Sequence, residues 1–162
     1  MRGIKPLAGI TTIILVFAIA ADAQKKSPPA QPAKAQRAMV EYESASNTSA
    51  RTLSDFVRVG DIVYLSGKLG TDSTGKLAEG GIGPETKQAM ENIKASLEKA
   101  GSSMDNVVKC TVMLADIKEW AAMNAVYTTF FKKERLPARS AFGTSGLVRD
   151  ARVEIECMAT LK

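Results

Sequence analysis

Val153-Glu154-Ile155-Glu156-Cys157-Met158-Ala159-Thr160-Leu161 alternates apolar with polar or charged residues over most of its length. Side chains along a strand point to opposite faces in turn, so Val153, Ile155, Cys157 and Ala159 share one face and Glu154, Glu156 and Met158 the other. A strand with one apolar face has to lie under something, and two upstream stretches have the period of a covering helix. Thr86, Ala89, Met90, Ile93, Leu97 and Ala100 recur three and four residues apart, with Pro84 at a helix start and Gly101 as a stop. Asp116 is placed as an N-cap, and Trp120, Met123, Val126, Tyr127 and Phe130 make a second stripe behind it.

The remaining segments supply strands. Residues 39–43 alternate as an edge strand, 55–59 and 62–66 read as a hairpin hinged at Gly60-Asp61, and 107–114 reads as a mostly buried strand. Residues 140–144 form another, and the glycine-rich stretch 67–83 is expected to be irregular. The order β, β, β, α, β, α, β, β predicts an α+β fold in which two helices cover one face of a single mixed sheet. Val63, Leu65 and their neighbours suggest that the opposite face is not uniformly polar. Such a face calls for a partner, so self-association is expected, with sites in clefts between subunits.

The N-terminal end has a different character. Arg2 and Lys5 precede an uncharged apolar run from residue 10 to 20, too short to span a bilayer, and Ala21-Asp22-Ala23 fits a small-x-small cleavage site. Residues 1–23 are therefore expected to be a signal peptide that exports the chain to the periplasm or medium, with no stable membrane association after cleavage. Residues 24–38, rich in Pro, Ala and Lys, read as a disordered linker, and 39–162 as one domain. Six of the 22 Lys and Arg residues and one of the 17 acidic residues precede Met39, which leaves sixteen of each sign in the domain. A neutral domain lacks the electrostatic footprint of a nucleic-acid binder. Cys110 and Cys157 are the two cysteines, and both lie in apolar strand patterns. There the reading favours buried free thiols over a bridge, even in an oxidising compartment.

The chain contains no histidine, so serine and cysteine hydrolase triads and the usual zinc sites lose their commonest base and ligand. No phosphate loop or metal-ligand cluster is present, and the sequon at Asn47 carries no weight. Chemistry falls to Arg, Glu and backbone amides. Arg139 follows Pro137, which fixes its own φ and restricts Leu136, so the approach to the guanidinium is stiff and suited to clamping a carboxylate. The plainer alternative pairs Arg139 with Glu154 or Glu156 or has it cap a chain terminus. Glu154 is the carboxylate placed to steer a water, with Glu156 its neighbour, and a merely solvated Glu154 is the competing reading. Ser66-Gly67 ends a strand where a backbone group is available, and Asn124 lies one turn into the second helix.

Pro137-Ala138-Arg139-Ser140-Ala141-Phe142 through Val153-Glu154-Ile155 resembles the signature of the RidA/YjgF (reactive intermediate deaminase) family. Val63-Tyr64-Leu65-Ser66-Gly67 and the run from Met123 to Phe131 are similar to two further family segments in the same order. The resemblance covers about residues 53–161. It implies a chorismate-mutase-like α+β fold and a homotrimer with three inter-subunit clefts. It also implies cofactor-free hydrolysis of 2-imino acids or enamines to 2-oxo acids and ammonia. By position, Arg139 would hold the carboxylate and Glu154 would orient or activate water. Gly67 would contribute a backbone contact, the Ala141 N–H would help bind the carboxylate, and Asn124 would line the cleft. Leu53 stands where the archetypal branch has tyrosine and Ala141 where it often has cysteine. Lys68 replaces a common glutamine and is expected to add a charge near the cleft. The alternative function is a non-enzymatic trimer that binds small carboxylates or, holdase-like, other proteins.

Overall fold

The computed structural model describes residues 38–44 and 52–161; the expected signal, the linker up to residue 37 and the Asn47 sequon lie outside them. The strands are β1 (Val40–Ser44), β2 (Ser54–Val59), β3 (Ile62–Leu65), β4 (Lys68–Leu69), β5 (Val107–Leu114), β6 (Ala138–Gly143) and β7 (Val153–Thr160). They form one sheet in the order β1-β2-β3-β7-β5-β6, with β4 also pairing β7. β5 and β6 run parallel and the other pairs antiparallel. The α+β architecture expected from the element order is the one observed.

Central β7 is sorted as its alternation requires. Val153, Ile155, Cys157 and Ala159 are at most 1% exposed and join one core with the buried faces of helices α1 (Ile82–Lys99) and α2 (Trp120–Tyr127). Buried in α1 are the expected Thr86, Ala89, Met90, Ile93 and Leu97; in α2 they are Met123 and Tyr127. α1 begins two residues before Pro84, which is tolerated because first-turn N–H groups have no intrahelical acceptor. Its C-terminus closes at Gly101 (φ 80°), where Ser102 N–H donates to Leu97 O at 2.8 Å and Gly101 N–H to Glu98 O at 3.0 Å. Those two bonds satisfy carbonyls that a helix end otherwise leaves bare.

Gly70 brings the loop after β4 hard against the start of α1, where a β-carbon would stand 2.7 Å from Glu85 Cα. This close approach holds the otherwise irregular 67–83 segment, which also contains β4 and a Thr71–Leu77 bridge. In β5 the register slips between Val107 and Lys109, so Val107 and Cys110, three apart, both point into the core.

Two expectations are corrected here. Cys110 and Cys157 are not free thiols but a disulfide: they are register partners on β5 and β7, with Cα atoms 4.1 Å apart, both buried. That spacing belongs to the narrow class of antiparallel pair, in which facing side chains are closest. Two separate apolar patterns do not reveal that registration. Val63 and Leu65, offered as evidence of an apolar outer face, are buried under the helices. The outer face is apolar through the alternate residues instead. Tyr42, Val57, Tyr64 and Met158 form a row across four strands in register, with Tyr42 73% and Tyr64 41% exposed.

Candidate active site

Arg139 lies inside β6, since the strand begins at Ala138 and not at Ser140. Its Cα partner on β5 is Cys110, whose side chain faces the helices, so the arginine also rises on the helix-covered face. There it meets α2. The guanidinium carbon lies 5.5 Å from the centroid of the Trp120 ring and 4.6 Å from that of Tyr127. Among the described residues no carboxylate pairs with it, and its Nη1 is shielded from solvent without a hydrogen-bond partner. The expected alternative, a salt bridge to Glu154 or Glu156, is therefore not what Arg139 does.

Neighbouring polar atoms share this condition. Asn124 Oδ1 and Tyr127 Oη are likewise shielded and unpaired. Asn124 sits four residues after Trp120 and three before Tyr127, on the helix face the two rings bracket. Burial pushes the Tyr127 phenol up to about 12, against the opposing charge of Arg139, so it stays a neutral hydroxyl. Tyr127, Thr128, Leu136, Pro137 and Arg139 line a recess of about 130 Å³.

Backbone donors open to the same side. β6 is the edge of the sheet, and Thr144 N–H donates inward to Leu114 O at 2.8 Å. Amide directions alternate along extended chain, so Phe142 and Ser140 point inward too, while the N–H groups of Ala141 and Arg139 point to the open edge. The guanidinium and the two edge amides are donors able to bind an anion.

The carboxylate of Glu154 belongs to another part of the surface. On β7 it faces Met113 of β5 and Leu69 of β4, on the bare face of the sheet. Gly67 makes room for it, because a β-carbon there would overlap Glu154 Oε1. Glu154 is half-buried and makes no ion pair or side-chain hydrogen bond among the described residues. Burial raises its pKa above the ordinary 4.5, and the like charge of Glu156 raises it further. Leu53, 55% exposed, precedes β2 beside this spot, where Ser66 Oγ donates to Ser54 O at 2.6 Å.

Lys68 corrects an expectation. Its partner across β4 is Ile155, so it turns to the helix side and pairs with Asp55, which also accepts from Ser96 Oγ at 3.0 Å. The charge expected near the cleft is neutralised and directed away from Glu154.

Arg139 and the Ala141 amide share β6, Asn124 sits between Trp120 and Tyr127 on α2, and Gly67 and Glu154 are in contact. The two groups are not brought together within one chain. Arg139 is two strands from Glu154 and three residues along, on the opposite face of the sheet. The aromatic bracket was missed in the sequence because Trp120 and Tyr127 fit a core stripe; their spacing of seven, upstream of a strand arginine, was the available signal.

Residues 44–161 match the family model described as Endoribonuclease L-PSP. The chain belongs to the RidA/YjgF family. A mouse relative named 2-iminobutanoate/2-iminopropanoate deaminase is 44% identical over 107 residues, covering 65% of this chain and 78% of that one. Among RidA/YjgF structures, yeast Mmf1 superposes with a TM-score of 0.71 at 32% identity, over 76% of this chain and all of that one. RidA from an Antarctic Psychrobacter gives 0.66 at 35% identity, over 78% and 99%. Both groups of residues fall inside the RidA/YjgF match.

Proposed function

We propose that this chain is an exported deaminase of reactive 2-imino acids, working in clefts where Arg139 of one copy meets Glu154 of the next in a homotrimer. The observation that carries the reading is a complementary pair of defects. One face holds an unpaired guanidinium with free amides, the other holds an unpaired carboxylate, and neither finds a counter-charge among the described residues. The apolar outer sheet face supplies the surface on which copies associate. The mouse relative's printed activity supports the substrate class. The buried disulfide and the signal-like N-terminus support export.

In this cleft Arg139 and the Ala141 N–H hold the substrate carboxylate, and Asn124 lines the wall. Glu154 takes a proton from water as its oxygen bonds to the imine carbon. The C=N π pair moves to nitrogen, which takes up that proton; the remaining hydroxyl proton then follows through Glu154 to nitrogen as the C–N bond breaks and the C=O forms, so ammonia departs and a 2-oxo acid is left. Gly67 contributes a backbone contact beside Glu154. An imine is electrophilic enough that positioning and one base suffice, which accords with a chain lacking histidine.

Co-expression of Arg139→Ala and Glu154→Gln chains tests this. Each variant alone should lose imine hydrolysis in an assay coupled to an amino acid oxidase. A randomly assembled pool should recover about a quarter of wild-type activity, because roughly three quarters of its trimers are mixed and each of those contains one intact cleft in three. A mixture no more active than its parents overturns the shared cleft; 2-oxo acid binding without hydrolysis in the wild type leaves only a carboxylate-binding module.

A further inference from the structure

We infer that Trp120 is a positioning residue for Arg139, an inference that rests on the carboxylate-binding role proposed above. Trp120 and Tyr127 are seven residues apart on α2, two turns or about 11 Å along one helix face. With the guanidinium carbon 5.5 Å from one ring centroid and 4.6 Å from the other, Arg139 lies between the two rings. Each ring presents its negative face to the cation, which fixes the guanidinium plane. The rings cover the faces of the guanidinium and leave its N–H edge, the side that pairs with a carboxylate, to the ligand. Tyr127 is 3% exposed and anchored in the core, whereas Trp120 is 41% exposed. Tyr127 lines the recess beside Arg139, and Trp120 is the half of the bracket open to solvent, holding the guanidinium from outside.

The same geometry supplies a readout, because Trp120 is the chain's single tryptophan. Titrating the full chain with 2-oxobutanoate should change its tryptophan emission in a saturable way, and an Arg139→Ala chain should show no such change. In imine hydrolysis Trp120→Phe should stay within about threefold of wild type. Trp120→Leu keeps apolar bulk without a π face and should raise KM by about tenfold or more with kcat little changed, since carboxylate binding is common to ground and transition states. A Trp120→Leu chain with wild-type KM, or wild-type emission indifferent to saturating 2-oxobutanoate, overturns the inference. A wild type that hydrolyses no imine yet shows the emission change would defeat the deaminase reading and leave the stack standing.

Discussion

Gly67 and Glu154 occupy one space: the carboxylate lies where a side chain at residue 67 would have to be. Backbone strain is not involved, since Gly67 is absent from the glycines with positive φ. The glycine is there for its missing β-carbon, and the atom displaced by adding one is the end of a flexible side chain.

Gly67→Ala should therefore fold normally and lose imine hydrolysis by tenfold or more, because a carboxylate moved by an ångström no longer meets its water. Gly70→Ala is the contrast. Its β-carbon would strike the backbone of α1 at Glu85, which cannot yield, and a loss of about 1–3 kcal/mol is expected from overpacking. Parallel thermal melts and rates separate the two, and equal melting losses would refute the distinction.

Replacing Arg139 by lysine keeps the charge and removes the planar fork and the stacking surface. A loss in kcat/KM of roughly 10- to 100-fold is expected, the range for one or two charge-assisted hydrogen bonds. Steady-state kinetics near wild type would show that charge alone suffices.

Glu154 must be ionised to accept a proton, so the rate should climb as pH rises through its raised pKa and level off above it. Glu156→Gln removes the like charge and should move that limb to lower pH. The stability effect has the opposite sign. A carboxyl with raised folded-state pKa contributes most below 4.5, its ordinary value, and the contribution is lost as pH rises through the folded value. Glu154→Gln should therefore melt higher than wild type at pH 7 and no higher at pH 4. The reverse order would refute the assignment.

The Cys110–Cys157 bridge closes a stretch of 47 residues, for which loop-closure entropy gives about 4 kcal/mol. Titration of denatured, unreduced protein should find no free thiol. Paired replacement by Ala should lower Tm by ~10 °C or more, and two titratable thiols would restore the free-cysteine reading.

The fold was legible where one element carried its own period. The alternation of β7, the three-four spacing of α1 and the Asp116 cap, which closes the 3₁₀ turn Ile117–Glu119 leading into α2 with its Oδ1 accepting from Lys118 N–H at 2.9 Å, needed no partner to be read. What stayed hidden depends on registration between elements. The disulfide requires knowing that residue 110 faces 157, and the inward turn of Lys68 follows from its place opposite Ile155. The inner position of Val63 and Leu65 likewise follows from a hairpin whose phase a short run does not fix. For the site, the residue types at Arg139 and Glu154 were readable, but their separation across the sheet was not. Neither strand carries information about which face the other shows.

For the proposed shared cleft, that separation ties the expected rate to how much protein is in the tube. In the proposed shared cleft an isolated copy carries one half of each of two sites, so specific activity, constant for a self-sufficient enzyme, should decay on dilution as assemblies come apart. Nanomolar stocks would then look inert while concentrated ones look competent, and the turnover number would be a property of the assembly rather than of the polypeptide.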